Sequence, residues 1–328
     1  MDLLSVGHRD IPDLLLVNPV SGGGRAGAAV PELQKFSNAR GWNVEICVTK
    51  DPDDLAAKAQ MAAEAGRKRI FVLGGDGTFQ LLVNTLAKYP QIVLGVVPAG
   101  GGNDFAAALG LPSDPIHAAA LLLDGEVRQT DVVRVRTANK REFLYCGGGG
   151  TGLDAEAASY ANGAYCRLRG RWRYVLAALR ALLGFRAFRV RILIGSGEVQ
   201  CIEACALLVA VLNTPSYGAG HRLAPNAKTD DGRLELVLLD ELSLMEIVSL
   251  LPAFIWGGQL KTQRLRRFSV ARVRIETETP RWFQGDGELL SMTPVEICVV
   301  PGAVRVLGPK APTETNQRAV SLSGERLS

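Results

Sequence analysis

Short, continuous apolar runs alternate with stretches of helical period over the first third of the chain. Asp13 to Val17 (DLLLV), Val44 to Thr49, Ile70 to Leu73 and Ile92 to Val97 are runs of β-preferring residues. Pro52 to Ala65, and the set Phe79, Leu82, Val83 and Leu86, instead repeat with the period of an amphipathic helix. Strands alternating with helices predict a parallel, doubly wound α/β sheet. From Asp131 onward apolar positions recur every second residue or run on continuously, in DVVRVR, EFLYCGG, FRVRILI, ALLVAVLN, RLELVLL, VARVRIE and VEICVV. These runs are separated by Gly, Pro, Asn and Asp, which predicts a mainly antiparallel β-sandwich domain interrupted by helical pieces. One such piece, Arg171 to Gly184, places Trp172, Val175, Leu176, Leu179, Leu182 and Leu183 on one stripe, read as core in preference to membrane contact. The predicted division is an α/β domain over 1–130 and a β-sandwich over 131–302. A strand near 303–308 is expected to return to the first domain, and the polar tail 309–328 is expected to be disordered.

Glycine turns close the predicted strands of the first domain. The run Ile70 to Leu73 enters Gly74-Gly75-Asp76-Gly77-Thr78 and then the helical set. A turn of this kind presents backbone N–H groups at the positive end of a helix dipole, and without Cβ atoms a phosphate approaches them closely. Thr78 is placed to cap that helix or to turn its hydroxyl toward the anion. A simple strand–helix turn explains one or two glycines, whereas three around a carboxylate point to a nucleotide or phosphate site. The first strand is followed by Asn18-Pro19-Val20-Ser21-Gly22-Gly23-Gly24, and the fourth by Pro98-Ala99-Gly100-Gly101-Gly102-Asn103-Asp104. Gly22, Gly24 and Gly27 spell GxGxxG, but Asn-Pro-Val-Ser separates the first of them from the strand and Pro31 interrupts the following helix. A phosphate-contacting loop is the better reading there, and Ser21 is a candidate donor. All three loops are expected at the carboxyl ends of the strands, where ligands bind in such sheets. Because no loop carries Gly-Lys-Ser/Thr, phosphate charge has to be met by amides, a metal and other side chains.

At 328 residues the chain suits two packed domains, and 47% hydrophobic residues allow large cores. A net charge of only +4 gives no reason to expect a nucleic-acid partner. The charge is uneven: Ala157 to Gly197 holds no acidic residue but holds Arg167, Arg169, Arg171, Arg173, Arg180, Arg186, Arg189 and Arg191, a local basic face suited to anionic headgroups. Cys47, Cys146, Cys166, Cys201, Cys205 and Cys298 form no CxxC pair and read as reduced core residues of a cytoplasmic protein. The N-terminus has no apolar segment of signal-peptide length, and no run reaches the roughly 18 apolar residues of a transmembrane helix. Any membrane contact is expected to be peripheral, at the inner face.

The ordered set NPVSGG, GGDGT, PAGGGNDFA, GGGGTGLDAEA (147–157), LAPNAKTDDGRLEL and GDGE (285–288) resembles the diacylglycerol kinase catalytic-domain family, which includes bacterial lipid kinases and sphingosine and ceramide kinases. The resemblance spans Leu14 to Leu307. It implies an ATP- and Mg²⁺-dependent phosphotransferase acting on a lipid or long-chain alcohol, with a dimer among the possible assemblies. It implies ATP contacts at Asn18, Pro19, Val20, Ser21, Gly22, Thr49, Gly74, Gly75, Asp76, Gly77, Thr78, Phe79, Gln80 and Gly101, in the loops that also carry Asn103 and Asp104. It further implies a magnesium turn at Asp231 with the carbonyls of Lys228 and Arg233, and Glu288 of the Asp286-Gly287-Glu288 turn as proton acceptor. The chain departs from most relatives at Gly100-Gly101, where they have Gly-Thr, and at Phe79-Gln80.

Phosphoryl transfer needs positioning, charge neutralisation and a carboxylate to accept the acceptor's proton. Asp76 and Asp104 supply acids near the nucleotide and Glu288 the base, with the acceptor entering between the domains and its alkyl part against the β-domain. A kinase of NAD or of another small alcohol, a nucleotide-binding regulator without turnover, and a dehydrogenase resting on GxGxxG alone remain as alternatives.

Overall fold

The structure, a computed structural model, describes residues 11–165, 176–177, 179–181, 184, 186–195, 199–218, 220–243, 245–247, 249–250 and 262–310. It opens with β1 (Asp13–Val17), α1 (Ser21–Arg40), β2 (Val44–Val48), α2 (Pro52–Glu64), β3 (Arg69–Gly74), α3 (Asp76–Leu86), β4 (Val93–Pro98), α4 (Asp104–Ala108) and α5 (Pro115–Leu123). The strands pair in parallel in the order β2-β1-β3-β4, so the order reverses at β1, and helix pairs α1–α5 and α2–α3 pack on the sheet. Local sequence explains the helix starts. Asp51 accepts the N–H of Asp54 at 2.8 Å ahead of Pro52, and Asp114 accepts that of His117 at 2.8 Å ahead of Pro115. Each is an acidic N-cap followed by a proline that has no N–H to leave unpaired.

The second half contributes β5 (Glu126–Thr137), β6 (Glu142–Tyr145), β7 (Gly148–Gly152), α6 (Leu153–Asn162), β8 (Phe188–Ile194), β9 (Gln200–Leu212), β10 (Leu234–Asp240), β11 (Leu265–Val270), β12 (Arg272–Thr277), β13 (Trp282–Gly285), β14 (Glu288–Met292) and β15 (Val295–Gly308). Pairing here is antiparallel. Period-2 alternation shows directly in β8, where Phe188, Val190 and Ile192 are buried and Arg189 and Arg191 are exposed. The architecture is thus a parallel α/β domain followed by an antiparallel, sandwich-like β-domain.

Two strands join the halves. β15 pairs with β5 along its length; its first residues pair with β12, while Arg305 and Val306 run parallel to Val93 and Leu94 of β4. Val304, Val306 and Leu307 accordingly belong to the same apolar core as Leu15 and Phe71. A second core gathers Tyr145, Ile192, Phe283 and Ile297, and a third gathers Leu208, Leu212, Leu223 and Leu239.

Three details differ from the sequence expectations. VARVRIE is split at Ala271 into the end of β11 and the start of β12. Cys146 is buried, but Cys201 and Cys205 are exposed because they lie on the outward face of the first half of β9, so they are not core residues. In the Arg171–Gly184 stripe Leu176 is 41% exposed. Trp172, Val175, Leu182 and Leu183 lie outside the described residues, as do Arg167, Arg169, Arg171, Arg173, Cys166 and the tail from 311.

Candidate active site

Three loops meet at the carboxyl edge of the parallel strands. After β1, Gly22, Gly23 and Gly24 adopt φ of 61°, 70° and 96°, so regular helix begins only beyond them. A Cβ on Gly22 would stand 2.0 Å from the carbonyl oxygen of Ala99, so only glycine lets the first loop approach the third. Across the same edge, a Cβ on Gly75 would lie 3.0 Å from Cα of Gly100. The N-cap of α3 is Gly75, which has no side chain to cap it. Asp76, in the first turn, accepts the backbone N–H groups of Asp104 and Phe105 at 3.1 Å each, which ties the second loop to the start of α4.

The β-domain brings its own turn to this edge. Asp286 and Gly287, between β13 and β14, have φ of 48° and 89°, the positive pair that a type I′ hairpin turn requires. The Asp286 carboxylate accepts three backbone N–H groups, from Cys146 at 2.8 Å, Gly147 at 2.9 Å and Gly148 at 3.1 Å. Glu288 follows, with Oε1 3.2 Å from the point where a Cβ of Gly77 would stand. The GGDG turn of one domain and the GDGE turn of the other are therefore in contact. Asp104 adds a second link, accepting the N–H of Gly220 at 3.1 Å.

Between the domains lies a cleft of about 830 Å³. One half is walled by the glycine loops with Thr49 and Lys50; the other is mainly apolar, lined by Leu153, Ala157, Ala158 and Ala161 of α6 and by Leu208, Leu223 and Leu239. Of the residues singled out in the sequence, Asn18, Val20, Ser21, Gly22, Thr49, Gly75, Asp76, Gly77, Thr78, Gln80, Gly101, Asp104, Asp286 and Glu288 line it. Pro19, Gly74, Phe79 and Asn103 are not among the residues that line it. Phe79 stacks on Phe105 with ring centroids 4.9 Å apart, and Asn103 holds the third loop by accepting the N–H of Gly100 at 2.9 Å. Thr78 does not cap α3; its hydroxyl accepts from Asn18 Nδ2 at 3.1 Å. Gln80 donates to the carbonyl of Leu144 at 3.1 Å.

Lys228, Asp231 and Arg233 are absent from the cleft lining. Their turn is fastened to the start of the β-domain instead, where buried Asp131 accepts the N–H of Gly232 at 2.7 Å and that of Gly302 at 2.8 Å. Sequence reading missed Asp154, Tyr217 and Gln284. Tyr217 donates to Asp154 at 2.5 Å and Gln284 to the same oxygen at 3.1 Å. The three are 63 and 67 residues apart in the chain, so no local pattern exposes them, although Asp154 sits inside the GGGGTGLDAEA stretch.

Burial holds the acids of the cleft above the usual carboxylate range. Asp76 is raised to about 6 by burial and then by Asp104. Asp286 is raised to about 7 by burial and then by Asp76, against the three amides that favour its ionised form. Asp154 is raised to about 6 by burial, opposed by Tyr217 and Gln284. Mutual repulsion of this kind is relieved by a cation. Among the described residues no three His, Cys, Asp or Glu side chains converge to hold a metal ion by themselves. The glycine faces, bare of Cβ atoms, fit a phosphate chain.

Comparison with known proteins agrees with this geometry. Residues 12–135 match the diacylglycerol kinase catalytic domain, and residues 147–308 match the YegS C-terminal NAD kinase beta sandwich-like domain. A diacylglycerol kinase of Mycobacterium tuberculosis is 31% identical over 299 residues, 90% of this chain and 94% of the relative. The chain belongs to the diacylglycerol kinase family. Membership makes it a lipid kinase, an enzyme whose phosphoryl donor is ATP. A diacylglycerol kinase of Bacillus subtilis is 29% identical over 286 residues, 86% of this family member and 91% of the relative. A crystal structure from Bacillus anthracis, whose description as a diacylglycerol kinase is provisional, superposes with a TM-score of 0.73 at 25% identity, covering 92% of this chain and 98% of the other.

Proposed function

We propose that the protein transfers the γ-phosphoryl group of ATP to the hydroxyl of a long-chain lipid alcohol, diacylglycerol or a close analogue, taken from a membrane surface. The observation that carries this reading is a single cleft with glycine loops in one half, an apolar wall in the other, and Glu288 over Gly77. Residues 1–130 and 131–302 then serve as nucleotide and acceptor domains. The loop glycines and Ser21 bind phosphates through N–H and O–H donors. Asp76 keeps the second and third loops in register. Glu288 accepts the proton of the attacking hydroxyl, and Asp286, anchored by three amides, fixes the turn that presents it. Asp76 and Asp104 are the acids that would hold a Mg²⁺ at this edge, and the ion would supply charge neutralisation for the transferring group. Asp231 with the carbonyls of Lys228 and Arg233 is a second, structural cation turn away from the chemistry.

Purified protein incubated with γ-labelled ATP and separate acceptors (diacylglycerol, single-chain alcohols, glycerol and NAD) tests the reading. Label is expected in diacylglycerol or a similar lipid. Label in NAD or glycerol alone would reassign the acceptor, and no label in any acceptor would remove the kinase reading.

A further inference from the structure

Asp154, Tyr217 and Gln284 form a polar network set into the wall of the apolar half-cleft. Tyr217 donates its hydroxyl proton to Asp154 Oδ2 at 2.5 Å, and Gln284 Nε2 donates to the same oxygen at 3.1 Å while also meeting the Tyr217 hydroxyl. The other end of the Gln284 amide points elsewhere. Its Oε1 accepts the backbone N–H of Gly287 at 2.9 Å, and Gly287 stands between Asp286 and Glu288. Gln284 is only 3% exposed, and leaving a buried polar group without its partner is costly.

Both partners on the far side belong to elements that line the cleft. Asp154 stands in the first turn of α6, the helix whose Ala157, Ala158 and Ala161 line the apolar half. Tyr217 also lines the cleft and presses on β7, where a Cβ on Gly148 would fall 2.6 Å from its ring. One buried amide therefore links α6 and the 217 segment to the turn that carries Glu288. We infer that Gln284 is a positioning residue coupling occupation of the apolar half-cleft to the placement of Glu288, so that the acceptor's chain raises kcat and not only affinity. This rests on the lipid-kinase reading above. Binding energy from a remote, unreacting part of a substrate is then used to align the reacting end.

The test compares wild type with Tyr217→Phe, which removes one hydroxyl and keeps the ring, and with Gln284→Met, using diacylglycerols of short and of long acyl chain. Wild type is expected to show a higher kcat with the long chain. Each variant should lower kcat with the long chain by about 10-fold or more. KM for ATP should stay within about 2-fold, and the ratio of long-chain to short-chain kcat should fall to about 1. Unfolding midpoints and circular dichroism establish that the variants are folded; if Gln284→Met is not, Tyr217→Phe decides. The inference is overturned if wild type has equal kcat on both chains, if folded variants keep wild-type kcat, or if they lose it equally on both. Wild type that labels no lipid overturns the lipid-kinase reading, and this inference with it.

Discussion

Asp76 Oδ2 accepts the backbone N–H of Asp104 at 3.1 Å, so the first residue of α3 holds the first residue of α4. With Oδ1 on the N–H of Phe105, one carboxylate fixes the spacing of the second and third glycine loops. Asp76→Ala leaves two amides without that acceptor. It is expected to cost about 1–3 kcal/mol in chemical denaturation and to reduce turnover more than the stability loss explains. An Ala variant as stable as wild type would show that the loops are held some other way.

Gly75 faces Gly100 so closely that a Cβ would lie 3.0 Å from the opposite Cα. Gly75→Asp adds a carboxylate where phosphate oxygens are proposed to sit. Calorimetry with Mg·ATP should detect no binding to a folded Gly75→Asp variant; wild-type affinity there would move the nucleotide away from these loops.

Glu288→Gln keeps the shape of the side chain and removes the base. Turnover is expected to fall by roughly 10² to 10⁴ with ATP affinity nearly unchanged. Full activity of this variant would end the assignment of Glu288 as proton acceptor.

The raised acids give stability a definite pH dependence. Asp286 at about 7, Asp76 at about 6 and Asp154 at about 6 all lie above the unfolded carboxyl value of about 3.9. The folded state then binds more protons than the unfolded one between those values, so their contribution is full below about pH 4 and is lost as pH rises through about 6 to 7. Denaturation midpoints at about pH 5 and about pH 8 in wild type and Asp286→Asn isolate the Asp286 share. Wild type should lose more stability across that interval than the variant; an equal or smaller loss contradicts the raised value.

The loops were legible in the sequence because their cause is local. Strand, glycine turn and helix follow one another at Ile70–Leu86, and the Asp-Gly pair at 286–287 names its own hairpin. β7 was not legible as a strand by propensity, since four of its five residues are glycine. Packing explains them: Cβ atoms on Gly148, Gly149 and Gly150 would fall 2.6, 2.6 and 2.3 Å from Leu212, the Gln284 carbonyl and Asp154. Close approach overrides propensity there. α5 was hidden for the opposite reason, as PIHAAALLL is apolar on most sides and shows no clear stripe, although its Asp-Pro start was a usable signal. The anchors of the GDGE turn come from Cys146 to Gly148 and from Gln284, and only the fold brings the first three to Asp286.

A structure of the protein with a non-hydrolysable ATP analogue, Mg²⁺ and a diacylglycerol tests the central claim most directly, because both substrates are assigned to one cleft. The phosphates are predicted against Ser21, Gly75 and Gly101, the acyl chains against α6, and the acceptor hydroxyl within about 2.6–3.2 Å of the Glu288 carboxylate. A nucleotide bound away from the glycine loops, or a lipid hydroxyl out of reach of Glu288 with the chains outside the apolar half, would contradict it.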